Sequence, residues 1–291
     1  MSCLRPRPGE TVLDCTIGYG GHAREFLGRI LPGGELIGVD RDLAELERTR
    51  ERLSDHNAAV SLHHGSFAGI QRILRKEGAP AVDVVFADLG ASSMQLDDPR
   101  RGFSYKHDGP LDMRMDPRIQ LTAADWLKKL SAPRLAGILR ELGDEPEAEG
   151  IAGRLVEDAR TGELRTTRDL VRAVLAARGI SLRDWRRTRR SSHDPHPAGL
   201  VFQALRMHVN DEVGQLEELL RVLPDCLRPR GRMAILSFHS GEDRRVKQAL
   251  REGSAAGVYR EISAEVQRPT PVEVRGNPRS ASARLRWAIR A

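Results

Sequence analysis

The chain has 291 residues, with 47 Lys or Arg against 41 Asp or Glu, giving a formal net charge of +6. That length can bury a full core and suggests about two domains. No apolar run approaches the roughly 20 residues that span a bilayer, and the start MSCLRPRPGE has no apolar signal-peptide core. Cys3, Cys15 and Cys226 are odd in number and scattered, which excludes a disulfide frame and a cysteine zinc cluster and points to a cytoplasmic compartment. Net positive charge suits a polyanionic partner, but only five of the 47 basic residues are lysine, so the arginine bias is global. A local cluster says more: Arg183, Arg186, Arg187, Arg189 and Arg190 crowd around Trp185, either as a solvated face or as a nucleic-acid contact.

In chain order, an apolar run from Thr11 to Leu13 leads into Asp14 and a loop holding Gly18, Gly20 and Gly21. A helical segment follows from His22 to Leu31, then a second apolar run from Glu35 to Val39 that ends on Asp40. Strand, glycine loop, helix, strand and acid make half of a nucleotide-binding βαβ unit. Glycines let the backbone approach a ligand closely, and an acid at the second strand's tip can accept bonds from two ribose hydroxyls. A dinucleotide site wants G-x-G-x-x-G. The loop here reads G-Y-G-G-H after an Asp, nearer to that of S-adenosylmethionine methyltransferases.

Leu43 to Leu53 reads as a helix, Val60 to His64 as a third strand ending at Phe67, and Ile70 to Lys76 as another helix. Phe67 is either core or an adenine contact. Ala81 to Asp88 is an almost continuous apolar run, as expected of a central parallel strand. These elements predict a doubly wound α/β sheet with ligands beyond the strands' carboxyl ends. The next strand signal comes only at Arg232 to Phe238, after an amphipathic helix from Asn210 to Leu227 and a turn at Pro229-Arg230-Gly231. The gap exceeds any single crossover. Helical patterns fill it at 121–130, 132–142, 150–160, 167–177 and 198–209. We therefore expect residues 97–208 to form an inserted all-α domain serving substrate recognition, within a discontinuous domain of 1–96 and 209–291. A helix at 241–250 and a β-hairpin from 258–266 and 283–289 close the chain.

Asp88 opens a long polar, glycine-rich stretch, DLGASSMQLDDPRRGFSYKHDGPLDMRMD, where a doubly wound enzyme places its reacting groups. With DCTIGYGGH, VDRD, HGSF, FQALRMHVNDE, LSFHSGEDRRVK and NPRSASARLR, it resembles the ribosomal RNA small subunit methyltransferase H family over nearly the whole chain. The resemblance implies a class I methyltransferase fold with a helical insert. It also implies methyl transfer from S-adenosylmethionine to the 4-amino group of a cytidine in the decoding region of small-subunit ribosomal RNA. Gly20, Gly21 and His22 would hold the methionine end of the cofactor, Asp40 the ribose and Phe67 the adenine side, with Asp88 and Gln95 lining the methyl end. Asp88 or a neighbouring carbonyl would polarise the amine and take its proton; Ser92, Ser93 and His239 are further candidates. Asp112 and Arg114 are expected to pair and shape a lid or meet RNA.

Among the departures, Tyr19 replaces the family's basic residue between the glycines, HPAGLVFQ replaces H-P-A-T-R-T-F-Q, and the chain starts at the first strand without the family's preceding segment. No metal is expected, since His63-His64 and His193/His196 lack acid or Cys partners at ligand spacing. Competing readings are a non-catalytic cofactor-binding ribosome-assembly factor and a nicotinamide-dependent oxidoreductase.

Overall fold

In the computed structural model, which describes residues 3–188 and 196–291, two compact units emerge: 1–90 with 213–291, and 91–212. The second begins and ends outside the 97–208 expected from sequence. Its first helix is too short to show a periodic pattern, and Asn210, at its far end, is tied to its core.

The first unit is built on β1 (Thr11–Asp14), α1 (Gly21–Ile30), β2 (Glu35–Asp40), α2 (Leu43–Arg52), β3 (Val60–His64), α3 (Ile70–Lys76) and β4 (Val82–Asp88). The second holds α4 (Ser93–Asp97), α5 (Ala123–Lys129), α6 (Ala132–Gly143), α7 (Ala148–Thr161), α8 (Thr167–Ala177), α9 (Leu182–Thr188) and α10 (Gly199–Val209). The chain then runs through α11 (Glu212–Cys226), β5 (Leu227–Ser237), α12 (Ser240–Ala255), β6 (Tyr259–Ile262), α13 (Pro271–Gly276) and β7 (Arg284–Arg290).

The seven strands lie in the order β3-β2-β1-β4-β5-β7-β6. The first five are parallel and β7 is antiparallel to both of its neighbours, the class I methyltransferase arrangement. Alternation sorts the strand residues into two cores. Val12, Leu36, Val84 and Phe86 meet Phe26, Leu27 and Ile30 of α1 on one face. Leu13, Ile37, Val85 and Ile235 meet Leu74, Leu219 and Val246 of α3, α11 and α12 on the other. The central strands are covered on both sides, so β4 reads as a nearly continuous apolar run interrupted at Asp83.

Two details differ from the sequence expectation. The turn at Pro229-Arg230-Gly231 lies inside β5: Val82 pairs with Leu227 and Val84 with Arg232, so the intervening residues bulge out, with Arg230 at φ 65°. And β6 and β7 do pair antiparallel, but a long connection carrying α13 joins them in place of a tight hairpin.

The second unit packs α5–α8 and α10 around Leu127, Leu139, Leu155, Val174 and Leu205. Its long loop is stitched by one device used three times. Asp98, Asp112 and Asp116 each accept the N–H of the Arg two residues on and also clamp its guanidinium, at Arg100, Arg114 and Arg118. The expected Asp112–Arg114 pair is therefore present, bidentate at 2.7 Å. Asn210, fully buried, accepts from Met115 N–H (2.8 Å) and donates to the Met113 and Arg206 carbonyls (2.7 and 2.8 Å). That grip holds the loop at Met113, whose φ is 63°.

Candidate active site

In the first unit three of the five parallel strands end on acids, Asp14, Asp40 and Asp88. Hydrogen bonds tie them to the glycine loop. Asp14 Oδ1 accepts from Thr16 N–H at 3.1 Å, and Thr16 Oγ1 accepts from Asp88 N–H at 2.6 Å. Asp40 accepts from Gly18 N–H (2.7 Å) through one oxygen and from Asp42 N–H (2.8 Å) through the other. Each Asp40 oxygen keeps a second lone pair, so this carboxylate braces the loop and can still receive a pair of hydroxyls.

The loop turns into α1 at Gly20, whose φ of 79° favours glycine and whose Cβ would lie 3.0 Å from Thr49 Cγ2. Gly21 differs: a Cβ there would meet no protein atom within 4 Å, so nothing in the described fold competes for that space. Tyr19 stands exposed between the glycines with the Arg52 guanidinium 3.9 Å over its ring, and Arg52 Nη1 donates to the Tyr19 carbonyl. A guanidinium from α2 thus lies against the loop.

His22 lies in the first turn of α1, edge-on to Phe86 at 4.7 Å, with Nδ1 3.8 Å from Asp88 Oδ2. Burial lowers its pKa, so at neutral pH the contact is between a neutral imidazole and the carboxyl. Phe67 is partly buried and packs on the α3/α11/α12 core. The Asp88 side chain is 30% exposed, yet its Oδ1 is sealed and has no hydrogen-bond partner among the described residues. Burial, reinforced by the charge of Glu242, pushes its pKa up to about 7. Asp14 is pushed up to about 8, mainly by complete burial and in small part by Asp88 and Asp40. Burial also raises Asp40, against the two N–H bonds it accepts.

His239 follows β5 as the N-cap of α12. Its Nδ1 accepts from Glu242 N–H (3.4 Å), while Nε2 lies 3.1 Å from Glu242 Oε1. Glu242 Oε2 in turn accepts from Phe238 N–H. Ser92 and Gln95 belong to the second unit, where they form the capping box of α4: Ser92 Oγ accepts from Gln95 N–H and Gln95 Oε1 from Ser92 N–H, at 3.1 and 3.0 Å. Both are helix-capping groups there. Arg189, Arg190 and His193 lie outside the described residues. Among the described residues, no group of three or more His, Cys, Asp or Glu could hold a metal ion, and no helix is long and apolar enough to cross a membrane.

Six of the ten expected residues therefore stand together in the first unit at or near the strands' carboxyl edge: Gly20, Gly21, His22, Asp40, Asp88 and, at its helix cap, His239. Phe67 follows β3 in the same unit. Sequence reasoning did not single out Asp14, Thr16 or Glu242. The signal for the first was an acid at a strand's last residue, two positions before a glycine-loop threonine. A strand edge lined by three acids and an open glycine turn fits a cationic ligand that carries hydroxyls.

The sequence pattern of the MraW methylase family matches residues 1–291. The chain belongs to the MraW methylase family. Among its relatives, ribosomal RNA small subunit methyltransferase H 1 of Lachnoclostridium phytofermentans is 41% identical over 298 residues, covering 100% of this chain and 79% of the relative. Ribosomal RNA small subunit methyltransferase H of Syntrophotalea carbinolica is 48% identical over 255 residues, covering 86% and 77%. That of Sorangium cellulosum is 42% identical over 290 residues, covering 100% and 88%. The resemblance carried by the Asp14–His22 and Asp88–Asp116 segments is thus a family relationship along the whole chain.

Proposed function

We propose that this methylase acts in the cytoplasm, transferring the methyl group of S-adenosylmethionine to the exocyclic 4-amino group of a cytidine in the decoding region of small-subunit ribosomal RNA. The observation that carries the reading is Asp88: a part-exposed carboxyl on the ligand edge of a methylase sheet, its pKa pushed up to about 7 by burial and by the charge of Glu242. When bound, S-adenosylmethionine supplies an electrophilic methyl group on a positively charged sulfur. Gly20 and Gly21 give its methionine end backbone room, with His22 beside them. Asp40 receives the ribose hydroxyls, Phe67 packs at the adenine side, and Gln95 is assigned to the methyl end. Asp14 lies beneath the loop as a buried carboxyl whose ionised form a cationic ligand would favour.

An aromatic amine is a poor nucleophile because its lone pair is drawn into the ring. Asp88 answers this in two ways: its carboxylate would polarise the N–H bond, and the part-exposed side of the carboxyl would take the amine proton as nitrogen bonds to the methyl carbon and the sulfur–methyl bond breaks, leaving the neutral thioether. A pKa near 7 leaves about half the carboxyl ionised at neutral pH, so it can accept the proton and then release it to solvent. His239 and Ser92 serve as helix caps, which favours Asp88 as the base. The insert, residues 91–212, is assigned to RNA recognition. The target base must be unpaired or extruded to present its amine.

The test is transfer of labelled methyl from S-adenosylmethionine to unmodified small subunits, naked ribosomal RNA and DNA, with Asp88→Ala as control. Label on a cytidine amine of the subunit, lost in the control, is expected. Cofactor binding without any label would overturn the catalytic reading and favour a ribosome-assembly factor.

A further inference from the structure

The sheet register contains one row that leads away from the acid of β4. Asp88 pairs with Leu236 of β5, Leu236 with Leu285 of β7, and Leu285 bridges to Gln267. Three strand spacings bring that row about 14 Å from Asp88 to Gln267. Because β7 is antiparallel to β5, and β6 to β7, the connection between β6 and β7 leaves and re-enters the sheet at the same edge as the three acids.

That connection is unusual in what holds it. Neither α13 nor the 3-10 turn at Pro278–Ser282 contains a buried residue, and Val272 is 67% exposed. Its order comes from local polar bonds. The Gln267–Leu285 pair exchanges two backbone hydrogen bonds (3.0 and 2.9 Å), Thr270 and Glu273 form a capping box, and Asn277 Oδ1 accepts from Arg279 N–H. Fixing a segment costs on the order of 1 kcal/mol per residue, and across 264–284 the one buried apolar residue is Ala283, so apolar burial offsets little of that. The arm is therefore held in shape for something at its surface.

Its charge says what. Arg268, Arg275 and Arg279 are exposed, and Arg284 stands where the arm rejoins the sheet. Among the described residues, Arg268 and Arg275 have no ion-pair partner. Of the two acids, Glu273 turns its carboxylate back to the Thr270 N–H as a cap. Unpaired guanidiniums on a preshaped arm beside the ligand edge are complementary to a phosphate backbone.

We propose that residues 264–284 form a phosphate-binding arm that holds the RNA strand carrying the target nucleotide. The identity of that strand rests on the function proposed above. Phosphate contacts fix position and register and carry no sequence information, whereas the base is read in the pocket.

The test is fluorescence anisotropy with fluorescein-labelled oligocytidylate, titrated against wild-type protein and the pairs Arg268→Ala/Arg275→Ala and Arg268→Glu/Arg275→Glu across a range of salt. Loss of two phosphate contacts should weaken binding on the order of tenfold and lower the slope of log K against log salt by about 1.4. The Glu pair should weaken it further. S-adenosylhomocysteine affinity by calorimetry reports the intact site, since neither arginine touches the core. Unchanged RNA affinity and salt slope in both variants would overturn the arm, as would a wild-type protein that binds no oligocytidylate. Methyl transfer to small subunits, run alongside, separates the two claims. Transfer with unchanged RNA affinity in the variants sinks the arm and leaves the function standing, and RNA affinity lost in the variants without any transfer does the reverse.

Discussion

Asp14 makes a quantitative prediction about stability. Its carboxyl is 1% exposed and accepts one N–H bond, and burial sets its pKa at about 8 against an ordinary unfolded value of about 3.9. A raised acid binds its proton more tightly in the folded state, so its contribution to stability is greatest below about pH 4 and is lost as pH rises toward 8. From pH 5 to 8 the folded protein holds about one proton more than the unfolded chain, and each unit is worth about 1.4 kcal/mol. The loss over that window is then about 4 kcal/mol, an upper value because relaxation and water entry soften burial. Asp14→Asn keeps a side-chain oxygen for the Thr16 N–H and cannot ionise. The variant should gain on wild type by up to about 4 kcal/mol between pH 5 and 8. The assay is urea unfolding followed through Trp287, the first unit's only tryptophan, with Trp126 and Trp185 replaced by Phe. A difference between Asn and wild type that stays constant across this window would refute the reasoning.

Asp88→Asn should lower the turnover number by about 10²–10⁴, and the wild-type rate should rise with pH through an apparent pKa near 7, because the ionised carboxyl accepts the proton; a profile flat from pH 6 to 8 would rule Asp88 out as the base. Burial is the main cause of the raised Asp88 pKa, and Glu242→Gln removes the charge that reinforces it, so the rise in rate should move part of the way to lower pH in single-turnover assays. Gly20→Ala puts a Cβ at φ 79°, 3.0 Å from Thr49 Cγ2, and should cost about 1–2 kcal/mol in unfolding and weaken S-adenosylhomocysteine binding in calorimetry. Asn210→Leu strands the Met113 carbonyl and Met115 N–H in the interior and should destabilise the second unit by about 2–4 kcal/mol, read by proteolysis of residues 98–118.

Most of the architecture was legible in the sequence because periodicity and burial coincide. The five helices expected in the insert appear as α5 to α8 and α10 within a few residues, each with an apolar stripe on the common core. What was not legible is short or polar. Helix α4 has five residues, and α13 buries nothing, so neither leaves a hydrophobic period. The arm between β6 and β7 looked like a hairpin because only its two strands carry apolar alternation.

The same distinction governs the site. Ser92 and His239 looked like chemistry because they follow strands on the ligand side, yet each stands three residues before a Gln or Glu, the spacing of a capping box. Local spacing decided their role. Asp14 is the opposite case: alone it reads as the end of a strand, and its weight comes only from the neighbouring strand ends that bring Asp40 and Asp88 to the same edge. Three acids there work against folding as pH rises, since burial resists the ionisation of each, with Asp88 and Asp40 adding a small part at Asp14. A cationic ligand reverses that conflict, because its charge stabilises the ionised forms that burial disfavours. Cofactor binding should therefore stabilise the first unit more at pH 8 than at pH 6, tying the ligand to the acids that cost the fold stability.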